Sequence, residues 1–481
     1  MNKKILLLIV LAPFILFGQD CDCRSNFEWV KKTIEKNDAG FQFAIDKKGV
    51  IAYEQHSKNF AEKIAKINST SECQEAIYQW LKFFRSGHIS FRRINLEQTY
   101  TENNIVETEI IDKYRNWEKM DIDLEKFESY LLSKAEHDYE GVWVSKPYKI
   151  GIKKLGDTYY GFIIEGDGVY WRKGQIKLKI NEHGAATFFM RDHTPRQFET
   201  SQLIGDNYLK MGTITLRRII PNIKAEPEVE RYIRAISAES PYFERIDNKT
   251  VLLRIPVFYT SEKRKIDSVI KTNRKAILNT PNLIIDIRNN GGGADRSFQE
   301  LLPFLYTNPI RTVGVEMFST PLNNQRMLDF INKEEFAFSD EEKKWAQQSY
   351  DKLSKKLGEF VLLSESQITK TTFDKIYEFP KNIGIIINHR NGSTTEQFLL
   401  AAKQSKKVKL FGTTTSGVLD ISNMHFVKSP CEQYQLGYCL SKSLRIPEMT
   451  IDDKGIQPDY YIDKEIPRYK WIQFVTDVLN D

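Results

Sequence analysis

The sequence predicts an α/β multidomain chain, α+β in its overall order, with an antiparallel β domain set between N-terminal helices and an α/β core. Three observations predict it. The texture is helical up to about residue 92, becomes serial hairpins from about 138 to 222, and from about 240 onward apolar strands alternate with amphipathic helices. A length of 481 residues leaves room for about three domains of ordinary size.

The first element is a leader rather than a domain. "MNKKILLLIVLAPFILFG" has two lysines, an unbroken apolar run and a small residue at its end, the layout of a secretory signal peptide covering about 1–19. No later apolar stretch is long enough to span a bilayer, so no integral membrane segment is expected after its removal. Losing Lys3 and Lys4, and no acid, takes the formal charge from +6 to +4. So slight a charge on so long a chain argues against nucleic acid or another polyanion as partner. The expected location is periplasmic or extracellular.

Helices occupy 20–92. "SECQEAIYQWLKFF" sets Cys73, Ile77, Trp80, Leu81 and Phe84 on one face, and either Ser69 with Glu72 or Ser71 with Gln74 makes a capping-box start. The helix stops at Arg85-Ser86-Gly87-His88, and a linker read as helical covers 93–137. The stretch 138–225 is rich in Tyr, Trp, Ile and Val, with turns at Gly-Asp and Asn-Glu-His-Gly. It reads as a small antiparallel, barrel-like β domain. Its Trp143, Tyr159, Tyr160 and Trp171 are core or rim aromatics on this reading.

In the core, 226–481, "VLLRIPVF", "NLIIDIR", "IGIIIN" and "VKLFG" are buried strands. "EKRKIDSVIKTNRKAIL", "SFQELLPFLY" and "TEQFLLAAKQ" are helices between them, with a charged helical insertion at about 333–357. This alternation indicates α/β layers whose chemistry lies beyond the strand C-termini.

All five cysteines, Cys21, Cys23, Cys73, Cys431 and Cys439, follow the leader, where an oxidising compartment permits disulfides. Cys431 and Cys439 flank a hairpin they could clamp, and Cys73 has Cys21 or Cys23 as partner. "CDC" lacks histidine at ligand spacing, so no metal and no cofactor is expected.

Two core loops carry chemistry. After "NLII" comes Asp286-Ile-Arg288-Asn-Asn-Gly-Gly-Gly, whose three glycines let backbone N–H groups approach an anion, with Asp286 and Arg288 as a structural pair. After "IGIII" comes Asn391-Gly392-Ser393-Thr394 at a helix start. Ser393 there is either an N-cap or a nucleophile whose oxyanion the Thr394 N–H would hold.

Asp286 to Gly292, Ser393 to Glu396, Gly412 to Gly417, and Gly455-Ile456-Gln457-Pro458-Asp459 together resemble the four motifs of the C-terminal-processing (tail-specific) serine peptidase family. The resemblance implies a crotonase-like ββα core, Ser393 as nucleophile, and an oxyanion hole from the N–H groups of Gly292 and Thr394. The lysine base of the best-known branch is missing, since Val418 follows Gly417. The order is similar to a histidine-dependent, tricorn-core-like branch, which implies His88 as base with Asp452 or Glu448 orienting it. His425 is the rival base, and His389 is expected to pack on its strand. No peptide-tail-binding module is traceable. The implied activity is an exported serine endopeptidase acting on proteins or peptides. The alternative is an inactive peptide- or lipophile-binding protein on the same fold.

Overall fold

The computed structural model describes residues 22–94, 107–336 and 338–481, so the leader lies outside the described residues. The chain forms two compact units. One contains the N-terminal residues with Ser240–Tyr461, and the other contains Glu97–Glu239 with Ile462–Asp481.

The first unit is built on a six-stranded sheet. Strands Thr250–Arg254, Asn282–Asp286, Asn382–Ile387, Val408–Gly412 and Tyr460–Tyr461 run parallel in that order, and Tyr242–Arg245 pairs antiparallel to the first. The inner strands have side chains buried on both faces, as their unbroken aliphatic sequence requires. Helix Lys263–Leu278 supplies Ile266, Ile270 and Ile277 to the core, and helix Thr394–Ala402 supplies Phe398, Leu399 and Ala402. Each such large aliphatic side chain contributes about 1.5–3 kcal/mol by leaving water. The register sets Arg254 beside Asp286, Asp286 beside Ile386, and Ile387 beside Gly412. Three loops therefore leave the sheet at one level.

A second, antiparallel sheet in the same unit takes in the chain's beginning. Strand Ser90–Arg93 pairs with Tyr434–Ser443, which also pairs with Ile421–Lys428 and Val315–Phe318. Helices Cys23–Asn37, Val50–Ile64 and Thr70–Leu81 cover this sheet through Phe27, Val30, Ile34, Trp80, Tyr434, Leu436 and Tyr438. A Cys23–Cys73 disulfide ties the first of these helices to the last. Cys439 is free and buried while Cys431 is disulfide-bonded elsewhere, so the expected Cys431–Cys439 clamp is absent. Both faces of strand Tyr434–Ser443 are buried at this point, and the Cys439 thiol donates to the carbonyl oxygens of His88 and Ile421 instead.

The second unit is a nine-stranded antiparallel sheet spanning Gly141–Ile220, wound around Trp143, Ile150, Ile163, Trp171, Leu178 and Leu209. Its end strands are Pro195–Phe198 and Gln202–Ile204, so the hydrogen-bonded order is open rather than a closed barrel. Trp143 and Trp171 are fully buried core aromatics, as expected.

Candidate active site

The glycine loop follows Asn282–Asp286. Burial opposes ionisation of Asp286, but Arg288 and Arg254 outweigh it and hold its carboxyl below the usual range. Arg288 grips both carboxylate oxygens, at 3.0 and 2.8 Å, and Arg254 donates to the Asp286 carbonyl. This buried triad stiffens the strand end.

Asn290 then staples the loop to the serine loop. Its side-chain oxygen accepts from Gly292 N–H at 3.0 Å and from the Thr395 hydroxyl at 2.9 Å. Its carbonyl accepts from Asn391 Nδ2 at 3.0 Å. Gly292 has φ +105°, and a Cβ there would lie 2.8 Å from the Gly392 carbonyl and 2.9 Å from both Ser393 Cβ and Thr394 N. Only glycine lets the loop close on the serine this way.

Ser393 stands at φ 57°, ψ −127°, and its hydroxyl makes no capping bond to the helix it precedes. A non-glycine residue in that region is strained by about 1–3 kcal/mol, and such strain gathers at sites that work. The Thr394 N–H is adjacent, at the positive end of the helix. The expected partner donor differs from the sequence reading: Gly292 directs its N–H to Asn290 and not toward the serine. Asparagine at that position supplies an acceptor two residues back, which is the usual local bond of an Asx turn.

The base candidate arrives from the other sheet. Residue Ser90 is in register with Gly437, which is itself in register with Phe426 on the strand beginning at Ile421. This brings His88 to the start of that strand, and its Nδ1 lies 2.8 Å from the Ile421 carbonyl. A carbonyl only accepts, so Nδ1 carries the proton and Nε2 is left with the lone pair. Burial lowers the imidazole's pKa below its ordinary value. The bond to Ile421 opposes that shift, and the nearby Arg85 charge adds to it.

Between His88 and Ser393 lies the strap Gly417–Ile421. Gly87 and Gly392 press on opposite methyls of Val418: an added Cβ would sit 2.5 Å from Cγ1 and 2.7 Å from Cγ2, respectively. Ser393 N–H donates to the Val418 carbonyl at 3.1 Å. No hydrogen bond joins the His88 and Ser393 side chains among the described residues. Each of the strap's five consecutive N–H groups ends on a carboxylate. Glu396 takes those of Gly417 and Val418 at 2.7 and 2.9 Å. Asp452 takes those of Leu419, Asp420 and Ile421 at 2.6, 2.7 and 3.1 Å. Burial pushes both carboxyls up, while these bonds pull them down.

The predicted acids part company here. Asp452 does not touch the imidazole. It holds the backbone whose carbonyl does. Glu448 is exposed in the turn after Arg445 and reaches none of these groups. His425 is buried against Tyr438, with Arg326, Asp329 and Lys333 as charged neighbours, and burial drives its pKa down to about 4. His389 is exposed just past its strand, not packed on it, because the strand ends at Ile387. Among the described residues no group of three or more His, Cys, Asp or Glu side chains could hold a metal. The strap was not legible in the sequence: nothing in "GVLDI" marks it, since its partners lie 21 to 33 residues away on either side.

The α/β core thus carries a strained serine at a helix start, and one strap bonds both the serine's N–H and an imidazole held as the Nδ1–H tautomer. Residues 249–462 match the model of peptidase family S41. That segment is 214 of the chain's 481 residues, and over it the chain is similar to peptidase family S41. Mature CPAF in complex with lactacystin has a similar fold, with a TM-score of 0.51 at 14% identity over 95% of this chain and 98% of that one. The photosystem II D1 C-terminal processing protease aligns at TM-score 0.38 and 13% identity, over 95% and 97% of the two chains. The tricorn protease aligns at 0.40 and 11%, over 95% of this chain and 36% of that one. No curated protein matches the sequence.

Proposed function

We propose that this protein is an exported serine endopeptidase of proteins or peptides, working through a Ser393–His88 pair and an acyl-enzyme. Ser393 Oγ attacks the scissile carbonyl while His88 Nε2 takes its proton. The imidazolium returns that proton to the leaving amine, and water activated by the same nitrogen releases the acyl group. The Thr394 N–H is the fixed oxyanion donor. The glycine loop supplies the second, once Gly292 leaves Asn290 or through the neighbouring Gly293. Asp452 orients the base through the Ile421 carbonyl. Export is supported by the leader in the sequence and by the Cys23–Cys73 disulfide.

The observation that carries this reading is the shared strap: Val418 and Ile421, three residues apart, bind the serine's N–H and the histidine's Nδ1. A substrate that closes the cleft would tighten what the free form leaves loose. The second reading, a binding protein that does not turn over, is favoured by the Gly292 N–H being spent on Asn290. Digestion of unfolded casein and a mixed peptide library, with products read by mass spectrometry, separates the two. Cleavage lost in both Ser393→Ala and His88→Ala supports the peptidase, and no cleavage by the wild type across pH 5–9 supports the binder.

A further inference from the structure

We propose that the buried Asp38–Arg85 ion pair is a positioning device for His88, holding the base's backbone in the turn from which its imidazole reaches Ile421. The inference rests on the assignment of His88 above. His88 has φ 51°, a left-handed conformation that a histidine keeps only when its surroundings impose it. Arg85 imposes it. Its Nε and Nη2 both donate to the His88 carbonyl, at 3.2 and 2.9 Å. The same guanidinium is clasped by Asp38 through Nη1 at 2.8 Å and Nη2 at 2.6 Å.

Asp38, just after the first helix, is fully buried and takes two further donors: the N–H of Gly40 at 2.9 Å and that of Cys439 at 3.1 Å. The pair is thereby tied to the strand that pairs with Ile421–Lys428. The Cys439 thiol closes the frame by donating to the carbonyls of His88 and Ile421, at 3.2 and 3.5 Å. Gly40 permits the packing, since a Cβ there would meet Ile421 Cγ2 at 2.8 Å and Arg85 Nη1 at 2.9 Å. One guanidinium thus fixes the carbonyl of the base, and its carboxylate partner fixes the strand beside the carbonyl that orients it. Arg85 and Asp38 touch neither substrate nor reacting atoms, so they act only through His88.

The test compares Arg85→Ala, Arg85→Lys and His88→Ala with wild type, using the casein fragments as substrate and the 15N spectrum of the imidazole as a second readout. Arg85→Ala is expected to lower kcat by roughly 10- to 100-fold with KM little changed. Its His88 signal should shift from the Nδ1–H form toward a mixture of tautomers, and added guanidinium ion should restore part of the rate. Arg85→Lys, which keeps the charge on Asp38 but cannot fork to the carbonyl, is expected to fall between and covers the case where alanine does not fold. A kcat that drops only with the folded fraction, or an unaltered tautomer in Arg85→Lys, overturns the proposal. If His88→Ala stays fully active the underlying base assignment fails. If it is inactive while both Arg85 variants match wild type, only the positioning role fails.

Discussion

Val418 lies between Ser393 and His88: its carbonyl accepts from the Ser393 N–H, and its Cγ1 methyl bears on Gly87, next to His88. This is the position where the chain departs from the lysine-dependent branch, since Val418 rather than a lysine follows Gly417. Here the same position spaces a serine from a histidine that comes from more than 300 residues upstream. The proposed base, His88, lies outside the segment that matches the family model.

Asp452 holds three successive N–H groups of the strap, and Asp420 in turn accepts from the N–H groups of Ile451 and Asp452. Asp452→Ala should therefore cost at least ~10-fold in kcat, with KM less affected, because the Ile421 carbonyl loses its fixed direction. Glu448→Ala should leave the rate within about twofold, as exposed changes away from a site usually do. Steady-state kinetics on one peptide substrate compare the two.

Glu396 is buried and accepts from Gly417 N–H, Val418 N–H and the Thr415 hydroxyl. Removing it orphans all three. Glu396→Ala should destabilise the first unit by about 2–5 kcal/mol, since each buried unpaired donor costs about 1–3 kcal/mol and packing relaxes part of that. Denaturant unfolding monitored by tryptophan fluorescence measures it. A change below 1 kcal/mol would mean that the strap finds other acceptors.

Gly292→Ala adds a methyl 2.8–2.9 Å from three atoms of the serine loop, at a φ that disfavours any side chain. The loop must then withdraw from Ser393 and Thr394. Loss of one oxyanion donor elsewhere lowers kcat by about 10²–10³, and a loss of that size is expected here. Gly291→Ala is the control, because a Cβ there meets only the Arg390 carbonyl, at 4.0 Å.

The His88 pKa is lowered, first by burial, and the proposed base works as the neutral imidazole. Activity should rise with pH through a midpoint below the ordinary 6.5 and stay level above it. The same shift affects stability: the unfolded chain binds this proton more readily, so the contribution is present above the ordinary pKa and is lost as pH falls through the depressed one. A kcat/KM profile with its acid limb above 6.5 would point to a different base.

Four of the five parallel strands were legible because unbroken aliphatic runs have few other places to go, whereas the two-residue strand Tyr460–Tyr461 has no such run. The contact of Asp286 with Arg288 was legible too, being local. The site's remaining geometry was not. That Ser393 leaves its helix uncapped depends on Gly292 closing from another loop. Gly292 spending its N–H on Asn290 depends on a side-chain rotamer. Asp452 or Glu448 was expected to orient the imidazole, but that Asp452 bonds the Ile421 N–H, whose residue's carbonyl meets Nδ1, depends on how the strap folds back. Nor could sequence pair Cys23 with Cys73 and leave Cys439 beside His88, because helix packing decides which thiols meet.

Ser393 as nucleophile is tested by phosphonylation of the mature protein with a fluorophosphonate probe, the adduct being mapped by peptide mass spectrometry. A Ser393–His88 pair should give a single adduct on Ser393, formed at a rate that follows the His88 titration and falls by at least ~10²-fold in His88→Ala. An adduct elsewhere, or labelling of Ser393 as fast in His88→Ala as in wild type, would contradict it.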